Sequence, residues 1–223
     1  MRITFTMAAP VVFSGGPIHF DSLLSWVKIH RQPSTTAELD AGQEPCECVT
    51  LPLLRMRHGS AWWFRASAVV PLGVSSQQFW SKKFEHQHED MLDMGKATQV
   101  PLTMGRFKET MGRLETVWMP ELVFYAVGFR KNVNRLAKHI THIGKKASQG
   151  FGRVVEMKIE TLPDPIDSFT SDWKTSDGQP ARNLPVEFAR NHGLAIEKTC
   201  EAPVTPPYWR VLAGNVTEAA IPA

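Results

Sequence analysis

Read in order, the hydrophobic pattern gives strand, helix, hairpin, strand, helix, strand, which predicts an α+β fold of ferredoxin-like type carrying an insertion. Three observations carry that prediction. The first residues alternate with period two, an amphipathic basic helix lies late in the chain, and a glycine-rich turn runs from that helix directly into a strand. With 43% hydrophobic and 21% charged residues over 223 positions, the chain can bury a core. No apolar run of the roughly 18 residues that a membrane helix needs is present.

Ile3, Phe5 and Met7 alternate with Arg2, Thr4 and Thr6, which suits a first strand better than a cleaved leader. Ser14-Gly15-Gly16-Pro17 is a turn. Phe20, Leu23, Leu24 and Val27 then recur at helical spacing, with Asp21 or Ser22 opening a helix that ends near His30. The polar stretch 33–45 is expected to be a loop. Val49–Met56 and Ala61–Val70 read as two strands joined at His58-Gly59. From 72 to 118 the pattern is irregular, and the stretch is read as an insertion on the core.

Glu121–Arg130 is strand-like, and Lys131–Ile143 is the clearest helix. Val133, Leu136, Ala137, Ile140 and Ile143 form its apolar stripe, opposite Lys131, Arg135, Lys138 and His142. Gly144 is expected to end it as a left-handed C′ residue, and Val154–Ile159 follows as a strand. The expected organisation is a core over 1–160, the insertion at 72–118, and a C-terminal extension over 161–223. That extension, Pro-rich with five basic and eight acidic residues, is expected to wrap the core as extended segments.

The chain has 25 basic and 22 acidic residues, a net of +3, but the distribution is uneven. Seven Lys or Arg and no Asp or Glu lie between Arg130 and Arg153, leaving 18 basic and 22 acidic residues elsewhere, a net of −4. A local excess on a near-neutral protein points to a polyanion site. Within the segment, Gly144, Gly150 and Gly152 allow tight turning, so that adjacent N–H groups can make an anion-binding concavity. Lys145, Lys146 and Arg153 supply charge, and Ser148 and Gln149 supply polar contacts. Phe151 is expected to anchor the loop in the core, with base stacking as its other use. The glycines precede a strand rather than a helix, and no G-x-x-x-x-G-K-[ST] is present, which excludes a P-loop.

The run I-G-K-K-A-S-Q-G-F-G-R-V at 143–154 resembles the glycine-rich loop of the RAMP superfamily of CRISPR proteins. The run T-F-T-M-A-A-P-V-V-F-S-G-G-P-I-H-F-D-S-L-L at 4–24 resembles the third-subunit family of the Csf set in type IV CRISPR systems. That family is the counterpart of the fifth Cas group, which caps the 5′ end of the guide RNA. The resemblance spans about residues 1–160 and implies a ferredoxin-like (RRM-like) RAMP fold with a thumb-like insertion. It implies a non-catalytic subunit that grips the 5′ handle of the crRNA, meets the backbone and large subunits, and reaches target DNA indirectly through the complex, with contact to the protospacer-adjacent motif left open. Its RNA contacts would be Arg130, Lys131, Arg135, Lys138 and the loop 144–153, with Arg106, Lys108 and Arg113 on the thumb.

Some members of the superfamily cut repeat RNA without metal, and here His19, just before the first helix, is the candidate base. Only Tyr125 and Tyr208 are available as tyrosine partners. A general RNA-binding domain is a third possibility, although the paired-aromatic pattern of the common RNA-recognition module is missing. His86, His88, Glu89 and Asp90 diverge if helical, and Cys46-x-Cys48 lacks a second ligand pair, so neither metal nor cofactor is expected. Three cysteines, Cys46, Cys48 and Cys200, make no disulfide framework and fit a reducing cytoplasm.

Overall fold

Strand β1 (Arg2–Met7) is the centre of the main sheet. The two strands beside it come from the far end of the core: β9 (Glu121–Tyr125) on one side and β10 (Val154–Glu160) on the other. Both pairings are antiparallel, with Phe5 opposite Leu122 and Met157. This computed structural model describes residues 1–13, 16–31, 49–70, 73–84, 87, 91–92, 100, 102–103, 107–162, 172–206, 208 and 216–222.

The alternation seen in the sequence fixes the layers. Ile3, Phe5 and Met7 are buried, as are Leu122 and Phe124 beside them. They pack on Phe20, Leu24 and Val27 of α1 (Phe20–Arg31) and on Val133 and Ala137 of α2 (Arg130–Ala137). Phe5, Phe20 and Phe124 form the aromatic centre, with ring centroids 5.4–6.4 Å apart. The other face of the sheet carries Arg2, Thr4 and Thr6, flanked in register by Glu121, Glu156, Lys158 and Glu160. Mixed α+β structure with antiparallel pairing and both helices in one core is compatible with a ferredoxin-like order.

Helix α2 is shorter than the apolar stripe suggests. It closes at Lys138 with the bonds His139 N–H to Leu136 O and Ile140 N–H to Ala137 O. Residues 141–143 then pair with 152–154, through Ile143 N–H to Gly152 O and Val154 N–H to Thr141 O. Ile140 and Ile143 stay buried although they have left the helix, so the burial pattern continues while the backbone changes. Gly144 has a positive φ of 93° but does not cap α2, because it lies six residues beyond the C-cap Lys138.

Short strands complete the core: β2 (Val11–Val12), β3 (Ile18–His19), and the hairpin β4 (Arg55–His58) with β5 (Ala61–Phe64), which turns at Gly59. β6 (Ala68–Val69) pairs with β3. The insertion is more regular than its sequence. β7 (Val74–Lys82) and β8 (Thr110–Trp118) pair over nine positions, a ribbon of roughly 30 Å, and β8 continues onto β2. Most of its side chains are exposed, Phe79 and Met111 to 75% and 77%, and the partly covered face of β8 holds Gly112, Leu114 and the buried Thr116, too little apolar character to mark it as strand.

The C-terminal extension also holds more structure than extended segments. β11 (Leu184–Pro185), α3 (Val186–Asn191), β12 (Thr199–Pro203) and β13 (Val216–Ala220) form a three-stranded sheet with a helix. Leu184, Phe188, Val204 and Ala219 pack around Trp63, making a second apolar cluster. Strand β5 thus serves two cores: Trp63 belongs to this cluster and Phe64 to the main one. Trp62 is half-buried, with the Arg55 guanidinium 4.7 Å from its ring centre.

Candidate nucleic-acid interface

The glycine loop is shaped by backbone contacts. Lys145 N–H donates to Val12 O at 2.9 Å, Gly152 N–H to Pro10 O at 2.8 Å, and Ala8 N–H to Arg153 O at 2.8 Å. Gly152 has φ +64°, and a Cβ there would stand 1.8 Å from Ile143 O, so a side chain and this pairing are incompatible. Gly144 meets the same limit, its notional Cβ falling 2.7 Å from Val12 O. Between them, Ala147–Gln149 form a single 3-10 turn. Among the described residues, the N–H groups of Ala147 and Ser148 have no backbone acceptor.

The loop's cations have different settings. Lys145 and Arg153 are exposed. Lys146 is half-buried, in a left-handed conformation at φ 64°, with Nζ 4.0 Å from the Trp80 ring centre. It therefore ties the loop to strand β7, a cation–π contact worth about 0.5–2 kcal/mol. Ser148, Gln149 and Gly150 are exposed, whereas Phe151 is half-buried, short of the full anchor expected of it.

Lys131, Arg135 and Lys138 are exposed at i, i+4 and i+7 along α2, one line of positive charge. Arg130 instead donates to Ile159 O at 3.1 Å and, with Lys131, Asn134 and Ile159, lines a hollow of about 500 Å³. Lys108, two residues before β8, is exposed, and on the ribbon Arg113 is exposed and donates to Gln77 across the strands. Arg106 lies outside the described residues, as do Cys46, Cys48, His86, His88, Glu89, Asp90 and the loop at 33–45.

A larger cleft of about 640 Å³ opens between the N-terminal half of α1 and the glycine loop. Leu23, Trp26 and Ile140 give it apolar walls, Lys145 stands on its rim, and His19 and Tyr208 also line it. His19 is only 4% exposed and stacks on Tyr208, ring centres 4.6 Å apart and planes 17° off parallel. Burial first, then the nearby Arg182 charge, holds the imidazole well below its ordinary pKa, so the ring is neutral. The Asn183 side chain acts weakly in the opposite direction.

Behind this wall lies a charged group that the sequence did not reveal. The Arg182 and Asp21 side chains are both 0% exposed, joined at 3.3 Å. Arg182 also donates to Phe64 O, Ala66 O and the Tyr208 hydroxyl, and Tyr208 O–H donates to Asp21 Oδ2 at 2.6 Å. Burial pushes the Asp21 carboxyl up, against the opposing pull of Arg182 and Tyr208. Burial also pushes the Tyr208 hydroxyl well up. Nothing in the sequence pairs Arg182 with Asp21, 161 residues earlier, and only the fold shows it closing α1 onto the extension.

Among the described residues, no group of three or more His, Cys, Asp or Glu is arranged to hold a metal ion, and no helix is long and apolar enough to cross a membrane. No curated protein matches the sequence. The family model for Csf3, a CRISPR type IV associated protein, matches residues 1–218. That match takes in the first strand, the glycine loop, the ribbon and almost all of the C-terminal extension, and the chain belongs to this Csf3 family.

Proposed function

We propose that this chain is a non-catalytic crRNA-binding subunit of a type IV CRISPR ribonucleoprotein, gripping the 5′ handle of the guide and capping the backbone filament. In this reading residues 1–160 are a ferredoxin-like RAMP core, the β7–β8 ribbon within 72–118 is its thumb, and 161–223 is an extension packed on it. Its partners are the handle, the backbone subunits and the large subunit, with target DNA met through the assembled, cytoplasmic complex.

The observation that carries the reading is the glycine loop in a chain of this family. Backbone bonds to Pro10 and Val12 hold it, Lys145 and Ala147 line the cleft beside it, and Arg153 is exposed at its far end. Such a surface suits a phosphate backbone whose unstacked bases turn aside. The opposite sheet face supports the same choice by its charge, since Glu121, Glu156 and Glu160 outnumber Arg2 and Lys158 there. Burial of His19 and the engagement of the Tyr208 hydroxyl favour binding over cleavage, because a general base must reach a 2′-hydroxyl.

The test is incubation of the purified chain with its own labelled repeat RNA in EDTA, resolving binding and cleavage on parallel gels. Salt-sensitive binding that depends on the handle, without cuts, is the expected result. Site-specific cutting lost in His19→Ala would make the chain a processing endoribonuclease. Binding with no handle preference would make it a general RNA-binding domain.

A further inference from the structure

We propose that the cleft between α1 and the glycine loop receives one unstacked nucleobase of the bound RNA, with the adjoining phosphate on the Gly144–Lys145 rim. The inference rests on the RNA-binding reading above and adds the subsite. At about 640 Å³ the cleft lies within the usual range of ligand pockets, and none of its described lining residues is Asp or Glu.

Three features identify a base rather than a free anion as the occupant of the interior. First, Trp26 is 55% exposed although it is the largest apolar side chain of α1. His30 lies against its ring at 4.1 Å, and the indole also lines the cleft, so it offers a stacking surface already backed by a second ring. Second, the nearly fully buried His19 closes the cleft wall together with Tyr208, the two rings stacked 4.6 Å apart. The wall is thus made of ring surface, which suits a planar base better than a solvated anion.

Third, the charges are arranged for a neutral group inside and an anion outside. Among the described residues, the cation behind the wall is Arg182, and it is occupied by Asp21, Tyr208 and two carbonyls. Asp21, fully buried behind Tyr208, would repel an anion placed on the floor. Lys145 stands at the rim, where a phosphate would sit.

The experiment scans the chain's own repeat RNA with single abasic sites, measuring affinity for the wild type, Trp26→Ala and Leu23→Trp. Trp26 is largely exposed and Leu23 is half-buried, and urea midpoints check that each variant folds. One abasic position should weaken wild-type binding about tenfold and weaken Trp26→Ala less than about twofold further, because the base and the ring act as one unit. Leu23→Trp, which fills the cleft, should lose about tenfold on intact RNA and little on the RNA abasic at that position.

Abasic penalties all within about twofold, or one undiminished in Trp26→Ala, would overturn the subsite while salt-dependent RNA binding stands. An apolar side chain from a partner subunit would then be the occupant to seek. Absence of any salt-dependent RNA binding would remove the binding reading itself, and this subsite with it.

Discussion

The main sheet has two faces with different chemistry. One side, with its helices and glycine loop, is ordered by backbone bonds and buried charge: Gly152 against Ile143, Lys145 against Val12, Arg182 against Asp21. The open side carries Arg2, Thr4, Thr6, Lys158 and three glutamates, and its Lys158–Glu156 pair at 3.5 Å has both side chains more than half exposed. The same residue types have different worth on the two sides. An exposed pair is screened by water and salt, whereas a buried one cannot lose a partner without stranding a charge.

The largest contrast lies in those ion pairs. Arg182→Met should cost about 3–5 kcal/mol, because it leaves the Asp21 carboxylate buried with no opposite charge, held by the Tyr208 hydroxyl and the Ser22 N–H. Lys158→Met should cost less than about 1 kcal/mol. Urea denaturation of both variants measures the difference, and similar losses would mean that the buried group does not join α1 to the extension.

The glycines sharpen the comparison within the loop. Gly152→Ala sets a Cβ against Ile143 O at positive φ and should cost about 3 kcal/mol. Gly150→Ala meets only the positive φ, in open space, and should cost about 1 kcal/mol. Equal midpoints for the two would show that the 141–143 and 152–154 pairing does not define the loop.

A smaller effect follows from His19. Its folded pKa lies well below the unfolded value, so below about pH 6.5 only the unfolded chain takes up the proton. Stability should therefore fall as pH falls, by about 1.4 kcal/mol per pH unit, through the window between the unfolded and folded pKa values. Urea midpoints of wild type and His19→Asn at pH 7.0, 6.0 and 5.5 isolate this term, and parallel curves would show that the ring is not held neutral.

How far the sequence disclosed these regions follows from which faces are buried. β1, α1 and β10 were legible because one face of each meets the core, so alternation or helical spacing appears in the residues themselves. The glycine loop was legible because its conformation demands glycine, at Gly152 above all. The ribbon was hidden, since Val74, Phe79 and Met111 are exposed and its partly covered face holds Gly112, Leu114 and Thr116, of which only Leu114 is a large apolar residue. The end of α2 was overrun because Ile140 and Ile143 continue its stripe in a strand-like backbone. The compact extension was missed because its core borrows Trp63 from a strand over 100 residues earlier. Nor does the sequence tell the cations of the charge run apart: Arg130 donates to Ile159 O of β10, Lys146 sits on Trp80 of the ribbon, and Lys145 lines the cleft.

The measurement that tests the central claim most directly is the salt dependence of affinity for the chain's own repeat RNA. It compares wild type, Lys145→Ala with Arg153→Ala, and Glu156→Gln with Glu160→Gln. Lys146 is left intact because its charge sits on Trp80. If the loop side holds the RNA, the first pair should weaken binding and reduce the salt slope by about 1–2, and the second should leave the slope unchanged. An unchanged slope in the loop variant, with a shift in the glutamate variant, would put the RNA on the open sheet and contradict the account.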